Sequence, residues 1–569
     1  MISSWPQPVR ARVNSPPSSH LMRCPVIAAS GASLRRSPHL LPRARDHGLA
    51  ISPFRGRIRG YASAVPPELC EAWDSGPARY KSSSRGPFAG SSSPRMLLSP
   101  LPSRAIVRRL GSSLYSHATR RSIANMSTAR TIQITPDNTG LWHIRQSQSA
   151  ARKTSELLQK DLELHHVYFN DAGYHNHISH QLLALYGTGA SAEDIEKAYN
   201  DNTSYQRPAM KTHGNPAEDF KDWEKAKKCL GKGQCYPDFL AYFQAEIERL
   251  GWQKTIHEHM FKGDERSEDM LLRMFAGAVH PLIQLMYGVE WQQPAMVAMG
   301  LAQAAVHRDE LRDFIYASEE AAKSAPTPMP RITSLLDAVR ADKQLSTSFT
   351  MDDLTKIDGG LFSKAGDEAM KIASQVKINP DELEERTVEM YNTSIYEGAA
   401  AALRPGKDAK FDFFLIHHIN VCPIFLVLNG QEWISTADKA RMLEWKIRLD
   451  LIGYAVRRCP PLSLDSIASY MPRDGKLVSE SNLLRRLHAL TDDGHISKLL
   501  RAVRIGRDVS KKYEDREWLM IKDEELWTKI EHMVIDSAES PGPRMVRSAG
   551  MDEAWDEVHD RPQNQNGHP

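Results

Sequence analysis

Histidines recur at the edges of apolar segments in this 569-residue sequence. Three of them, His175, His177 and His180, stand close together in GYHNHISHQLL. Others occur in AGAVHPLIQLMYGVEW (His280), FDFFLIHHIN (His417 and His418) and DDGHISKLLRA (His495). A neutral imidazole binds first-row metals through one ring nitrogen, and a helical bundle can bring several imidazoles together. A single buried histidine is more often a hydrogen-bonded core residue, so a shared metal site is a hypothesis that rests on the recurrence.

Two lysines compete for a place beside these histidines. Lys498 follows His495 by three positions, so the two share a face on a helix. A buried ammonium is costly, and Lys498 becomes reasonable there if it is neutral, paired with an acid, or converted to a carbamate that serves as an anionic metal ligand. The alternative is a surface lysine whose stem lies along the helix. Lys446 also lies on a strongly apolar segment, where a salt bridge to Asp450 at i+4 is the simpler interpretation.

The elements that must position these residues are helices. From about residue 149 onward, apolar residues recur at helical spacing almost throughout. Ser149 or Ser155 is expected to cap the first helix, and Ser191 the helix of AEDIEKAY. The best strand candidate, CPIFLVLNG, is short and equally compatible with a buried helical turn. The expected fold class is all-α: one large bundle-like domain, or two closely packed helical halves.

The composition divides the chain into three parts. Residues 1–130 form a basic, Ser/Pro/Arg-rich extension that is expected to be disordered. Residues 131–537 form the helical domain, with halves divided near the Pro-rich segment 325–330, and 538–569 form a polar tail that is also expected to be disordered. The acid-free stretch RAIVRRLGSSLYSHATRRSIA is typical of a mitochondrial transit peptide. The alternatives are a disordered tail, or an upstream extension of the coding sequence with the true start at Met126.

Charge and cysteine content exclude several classes of protein. Residues 1–125 contain 19 Lys and Arg but four Asp and Glu, which leaves 54 basic and 66 acidic residues in the remainder, a formal charge of −12. This acidic body argues against a nucleic-acid-binding surface. Six cysteines do not make a disulfide framework in so long a chain, which favours the cytoplasm, or mitochondria if the transit peptide is genuine. No apolar run approaches the roughly 20 residues needed to span a bilayer, so no membrane partner is expected. The oligomeric state stays open.

Nucleotide-binding and hydrolase motifs are absent. No GxGxxG follows a strand, and neither GxxxxGK[ST] nor GxSxG occurs. The segment HEHMF places Phe261 where a zincin motif needs its second histidine. An oxidoreductase built from this chain would therefore not rely on a Rossmann domain.

Several segments together resemble the fungal questin oxidase-like family, which includes Baeyer–Villiger-type oxidases of aflatoxin and anthraquinone pathways. They are FNDAGYHNHISHQLLALYGTGAS, HPLIQLMYGVEW, FFLIHHIN, LEWKIRLDLIGYA and DDGHISKLLRA. The similarity runs from about Thr131 to Ser537. It implies an oxidoreductase that uses O₂ for oxidative C–C ring cleavage, of the Baeyer–Villiger or dioxygenase type, in an aromatic polyketide such as an anthraquinone. It also implies NADPH as a cofactor.

The resemblance implies a site as well. At least one member is described as a non-heme iron dioxygenase whose Fe(II) is bound by four histidines and a carboxylated lysine. Carried over to this chain, the metal ligands are His177, His280, His417, His495 and Lys498. His175 or His180 could replace His177, and His175, His180 and Tyr174 are the catalytic candidates. Tyr174, Tyr287 and Trp291 would hold a flat substrate in an apolar pocket. Gln181 and Gln284 depart from the family, because histidine is expected there in many relatives.

Two other functions are compatible with these residues. In a metal-free oxidase, NADPH or the substrate would supply electrons, and histidines would act as general acids and bases. A non-catalytic helical carrier of hydrophobic ligands would bind its ligand tightly without consuming O₂.

Overall fold

Helices form nearly all the regular structure of this protein. The computed structural model describes residues 126–325, 327–350 and 356–561. Within these ranges there is no strand, and pairing of extended backbone is limited to four isolated bridges. The predicted all-α class is confirmed. The strand candidate CPIFLVLNG forms a helix over Pro423–Asn429 instead.

The first group of helices precedes the Pro-rich segment 325–330. These are α1 (Gln148–Leu164), α2 (Ile178–Gly187), α3 (Ala192–Thr203), α4 (Pro216–Asp219), α5 (Trp223–Lys227), α6 (Tyr236–Leu250), α7 (Trp252–Ile256), α8 (Glu265–Met274), α9 (His280–Glu290), α10 (Pro294–Val306) and α11 (Arg312–Ala322). A π-helical turn, His257–Phe261, links α7 to α8.

The second group follows that segment. These are α12 (Ile332–Ala341), α13 (Lys343–Ser346), α14 (Ser363–Ala373), α15 (Leu383–Ala401), α16 (Leu415–Asn420), α17 (Pro423–Asn429), α18 (Thr436–Ala455), α19 (Leu464–Ala468), α20 (Glu480–Ala489), α21 (His495–Ser510) and α22 (Glu524–Glu539). Another π-helical turn, Lys356–Phe362, precedes α14. None of the described helices is both long and apolar enough to cross a membrane.

Helix caps follow the sequence in part. Ser191 caps α3 in a capping box with Asp194, as predicted. The cap of α1 is Ser147, whose hydroxyl accepts the Ala150 N–H, and neither Ser149 nor Ser155 caps this helix. Ser155 is buried inside α1, where its hydroxyl receives the Ile134 N–H at 2.8 Å.

Four helices from both groups meet around the histidines. Helix α2 packs against α9 and α21, and α16 packs against α21. Helices α2 and α9 precede the Pro-rich segment, whereas α16 and α21 follow it. All described residues belong to one compact unit. The predicted division near 325–330 stays a prediction, and Pro326 within it lies outside the described residues.

The C-terminal segment corrects the prediction of a disordered tail. Residues 540–561 fold back onto the chain before α16, where Val546 and Trp555 are each 2 % exposed. The Phe413 N–H donates to the Val546 carbonyl at 2.9 Å. A few well-spaced apolar side chains are enough to anchor a polar segment, and average composition hides them. Residues 562–569 and 1–125 lie outside the described residues, so the predicted compartment stays a prediction.

Candidate functional site

A hairpin-like turn before α2 sets the direction of the three clustered histidines. The Phe169 N–H donates to Tyr174 O, and the Asn176 N–H donates to Val167 O. This pairing places His175 opposite Tyr168. His177 is then the last residue before α2, and His180 lies in the first turn of that helix. The three imidazoles are thus divided between a turn, a helix start and a helix.

A left-handed turn fixes His280. Gly277, Ala278 and Val279 have φ values of +55°, +50° and +57°. Left-handed backbone costs about 1–2 kcal/mol for each non-glycine residue, so the surrounding structure must hold this turn in place. Gly277 is required because a Cβ there would lie 2.4 Å from the His307 ring. In return, Gly277 O accepts the Nδ1–H of His280 at 2.7 Å.

The remaining two histidines enter from α16 and α21. His417 is fully buried, and its Nδ1 donates to the carbonyl of Phe413 at 2.6 Å. His495 is the first residue of α21 and is 3 % exposed. Its Nδ1 donates to the Asp493 carboxylate at 2.7 Å.

The rings of the four predicted metal ligands form a closed circuit. Ring centroids are 5.1 Å apart for His177 and His280, 4.7 Å for His280 and His417, 5.1 Å for His417 and His495, and 4.6 Å for His495 and His177. We call these four residues, together with Lys498, the histidine centre. Residues from His177 to Lys498, which are 321 positions apart along the chain, therefore meet.

Hydrogen bonds determine which ring nitrogen carries the proton. In each histidine of the circuit, Nδ1 faces an oxygen that can only accept a hydrogen bond. The Nδ1–H of His177 donates to the backbone carbonyl of Asp493 at 3.1 Å. In a neutral imidazole the other nitrogen, Nε2, is then a bare lone pair. The Nε2 atoms of His177 and His280 face each other at 3.0 Å. Those of His417 and His495 are buried and have no hydrogen-bond partner among the described residues.

Burial keeps three of these four imidazoles neutral. It lowers the pKa of His177, His280 and His417 well below the usual range, and neighbouring cationic groups lower these values further. Burial likewise lowers the pKa of Lys498 to about 8. A proton is therefore a poor bridge between the facing lone pairs of His177 and His280. Two nitrogens bound at right angles to one metal ion at about 2.1 Å lie about 3.0 Å apart, so this donor set fits a transition metal.

The structure also separates the two lysines. Lys498 is 1 % exposed, and its Nζ lies 3.1 Å from Nδ1 of His180. Lys446 is buried elsewhere, with Nζ 2.5 Å from both carboxylate oxygens of Asp450, which is the i+4 salt bridge considered for it. Lys498 is thus the lysine that joins the histidines.

His175 and His180 lie beside the circuit and have different partners. The His175 ring stacks on His280 with centroids 3.8 Å apart, and its Nε2 lies 2.9 Å from Nε2 of His307. The Tyr168 hydroxyl lies 3.3 Å from Nδ1 and 3.4 Å from Nε2 of His307. Neither His307 nor Tyr168 is among the residues predicted from the sequence. His307 ends the apolar helix α10, so it carries the same signal that selected the other histidines.

The aromatic and glutamine candidates are placed as follows. The Tyr174 ring stacks on Phe169 at 5.8 Å and is partly exposed. Tyr287 and Trp291 are each 1 % exposed and pack against the Arg501 guanidinium. Gln181 donates to Asp492 O at 2.6 Å, and Gln284 accepts from the Ser179 hydroxyl at 2.7 Å. Both glutamines therefore have bonded structural partners outside the circuit.

Comparison with known proteins gives consistent similarities. The family model described as "Questin oxidase-like" matches residues 174–503, which include the whole histidine centre. Baeyer-Villiger oxidase ptaJ of Pestalotiopsis fici is 31 % identical over 440 residues, covering 76 % of this chain and 99 % of that protein. Questin oxidase of Aspergillus fumigatus is 32 % identical over 418 residues, covering 71 % and 93 %. Questin oxidase of Aspergillus terreus is 30 % identical over 440 residues, covering 76 % and 98 %.

Proposed function

The chain belongs to the questin oxidase-like family and is an oxidoreductase, and from this premise we propose that it uses O₂ to cleave a ring of an aromatic polyketide such as an anthraquinone. Relatives named questin oxidase and Baeyer-Villiger oxidase align over nearly their whole length, which supports a shared reaction type. The comparisons do not favour the non-catalytic carrier.

The observation that carries the proposal is the set of bare Nε2 lone pairs in the histidine centre. Buried polar atoms are normally hydrogen-bonded, and facing lone pairs repel each other without a cation between them. We propose that His177, His280, His417 and His495 hold Fe(II) through these nitrogens. Imidazole suits iron and leaves room for an anionic ligand and an open position. Iron bound there would supply electron transfer to O₂.

Lys498 would provide the anionic ligand as a carbamate. The neutral amine attacks CO₂ and loses one proton, which gives an N-carboxylate. Burial supports this step because it lowers the pKa of Lys498 to about 8, so that a larger share of the amine is neutral near pH 7. A ¹³C NMR signal from protein incubated with ¹³C-bicarbonate would detect the carbamate, and Lys498→Met should lack that signal. His180, in contact with the lysine nitrogen, would hold the carbamate in place.

Side chains next to the metal position would handle protons and substrate. His175 lies outside the circuit and contacts His307, which in turn contacts the Tyr168 hydroxyl. It would therefore move a proton at Nε2 without being a metal ligand. Burial of the whole group excludes bulk water from the reacting atoms. Tyr174, on the same turn as His175, would contact the flat face of the substrate.

The described residues offer no Rossmann-type site for NADPH. They contain no strand, hence no strand–turn–helix unit that could bind a dinucleotide pyrophosphate. NADPH as electron donor stays a prediction, and no step above depends on it.

An oxygen-electrode assay tests the proposal. Protein purified under argon and loaded with Fe(II) should consume O₂ when given an anthraquinone or its hydroquinone, and mass spectrometry should show a ring-opened or ring-expanded product. A chelator should stop the reaction, and added Fe(II) should restore it. Activity that persists in chelator-treated, metal-free protein would favour the metal-free oxidase instead.

A further inference from the structure

One residue holds two rings of the histidine centre at the same time. The carboxylate of Asp493 accepts the Nδ1–H of His495 at 2.7 Å, and the backbone carbonyl of Asp493 accepts the Nδ1–H of His177 at 3.1 Å. The second oxygen of this carboxylate lies 3.8 Å from His177 Nδ1. The two histidines come from helices more than 300 positions apart, so Asp493 connects α21 to α2 at the metal position.

The neighbouring residues allow Asp493 to accept hydrogen bonds from both rings. The preceding residue, Asp492, caps α21 by accepting the N–H groups of Ile496 and Ser497 at 3.0 and 3.2 Å. The following residue, Gly494, has φ +97°, and a Cβ there would lie 2.7 Å from Cβ of Gln181. This glycine turns the chain so that both the carbonyl and the carboxylate of Asp493 face the two rings.

We infer that Asp493 is the positioning residue of the metal centre, an inference that rests on the function proposed above. By accepting both Nδ1–H groups, it keeps the Nε2 atoms of His177 and His495 unprotonated and directed into the centre. Its negative charge also compensates that of a bound cation. Carboxylates that hold metal-binding histidines in this way typically change metal affinity by about 10–100-fold.

A different arrangement of the same atoms is geometrically possible. The Asp493 carboxylate and one ring nitrogen each from His177 and His495 lie within 4.8 Å of one another, a spacing that a cation could occupy directly. If the cation bound the two histidines through Nδ1, both of these atoms would have to lose the protons they now donate. It would also leave the buried Nε2 of His495 without any partner. The positioning role accounts for both observations.

Co(II) binding to the metal-free protein tests this inference, because Co(II) absorption reports its ligands. We expect Asp493→Asn to weaken Co(II) binding about 10–100-fold in competition with a chelating dye, with the visible spectrum of the loaded site unchanged. Asp508→Asn is the matched control. This substitution also removes one negative charge, at a side chain of α21 that is 43 % exposed, against 42 % for Asp493. The variant should bind Co(II) as the wild type does.

Each outcome separates the inference from the proposed function. A wild type that binds no Co(II) or Fe(II) would overturn the metal centre itself. If the wild type and Asp493→Asn bind Co(II) with equally high affinity, the positioning role alone is overturned. A changed Co(II) spectrum in the variant would identify Asp493 as a direct ligand. Thermal unfolding of the metal-free variants checks folding. If Asp493→Asn does not fold, Asp493→Glu retains the charge on a longer arm and should give an affinity between the two.

Discussion

Two buried polar clusters meet at adjacent residues of α16. His417 belongs to the histidine centre, whereas His418 donates from Nδ1 to Asp450 at 2.5 Å, and Asp450 also pairs with Lys446. We call His418, Asp450 and Lys446 the ion-pair cluster. Its charges bind each other, so the fold alone accounts for it. The histidine centre leaves ring nitrogens bare in the interior. The difference shows that several converging ring nitrogens without partners, more than burial or charge, mark the site that needs a ligand.

Acid should destabilise the metal-free protein mainly through the histidine centre. The folded-state pKa values of His177, His280 and His417 lie below the unfolded value of about 6.5, so below that pH the unfolded chain takes up protons that the folded chain does not. The free energy of unfolding should therefore fall as pH decreases from 7 to 5, by up to about 1.4 kcal/mol per pH unit for each histidine. Urea titrations in EDTA at several pH values measure this, and a flat profile would contradict it.

The ion-pair cluster should resist the same change. The net effect of its surroundings lowers the pKa of Asp450: burial raises it, but Lys446 and His418 lower it more. The Asp450 carboxylate should thus stay ionised from pH 7 to 5, whereas a His177→Gln/His280→Gln double variant should lose part of the acid sensitivity of the wild type.

Replacing the two buried lysines should affect stability in opposite ways. Lys446→Met leaves Asp450 buried without its ammonium partner, which should cost about 3–5 kcal/mol. Lys498 has no carboxylate within salt-bridge distance among the described residues, so Lys498→Met should leave the metal-free protein as stable as the wild type or more so. Chemical denaturation of both metal-free variants gives the comparison. Equal losses would show that the two lysines are both structural.

The neighbouring histidines of α16 should differ in metal binding. His417→Gln removes a bare Nε2 from the circuit and should weaken Fe(II) binding by at least about a hundredfold, with loss of O₂ uptake. His418→Gln removes a contact within the ion-pair cluster and should leave the Fe(II) affinity within a few-fold of the wild type. Titration with Fe(II) under argon measures the affinity of both variants. If both affinities fall equally, the two clusters do not differ in metal binding.

The smallest expected effect concerns the residues linked to His175. Tyr168→Phe and His307→Gln should lower kcat by about tenfold, because they interrupt proton movement without removing a metal ligand. Metal content should stay at the wild-type level, and the solvent isotope effect on kcat should change. Loss of metal in His307→Gln would place that residue among the ligands instead.

The sequence contained much of this site, but only as separate pieces. Apolar periodicity predicted the helices, and histidines at segment edges indicated the candidates. The resemblance to the questin oxidase-like family then implied His177, His280, His417 and His495 among them. Their roles as ligands stay predictions, although the structure brings them together. The choice between His175, His177 and His180 depends on hydrogen-bond partners that are distant in the chain. The left-handed turn at Ala278 and Val279 has no sequence signal, because both residues normally avoid that conformation. His307 also lies at the edge of an apolar segment, but it was not predicted as a site residue.

The claim that the histidine centre binds iron can be tested directly by elemental analysis. The samples are the wild-type protein and the His417→Gln and His418→Gln variants, each purified under argon from iron-supplied cells. We expect about one iron per chain in the wild type and in His418→Gln, and almost none in His417→Gln. Wild-type protein that carries no transition metal and still consumes O₂ with its substrate would contradict it.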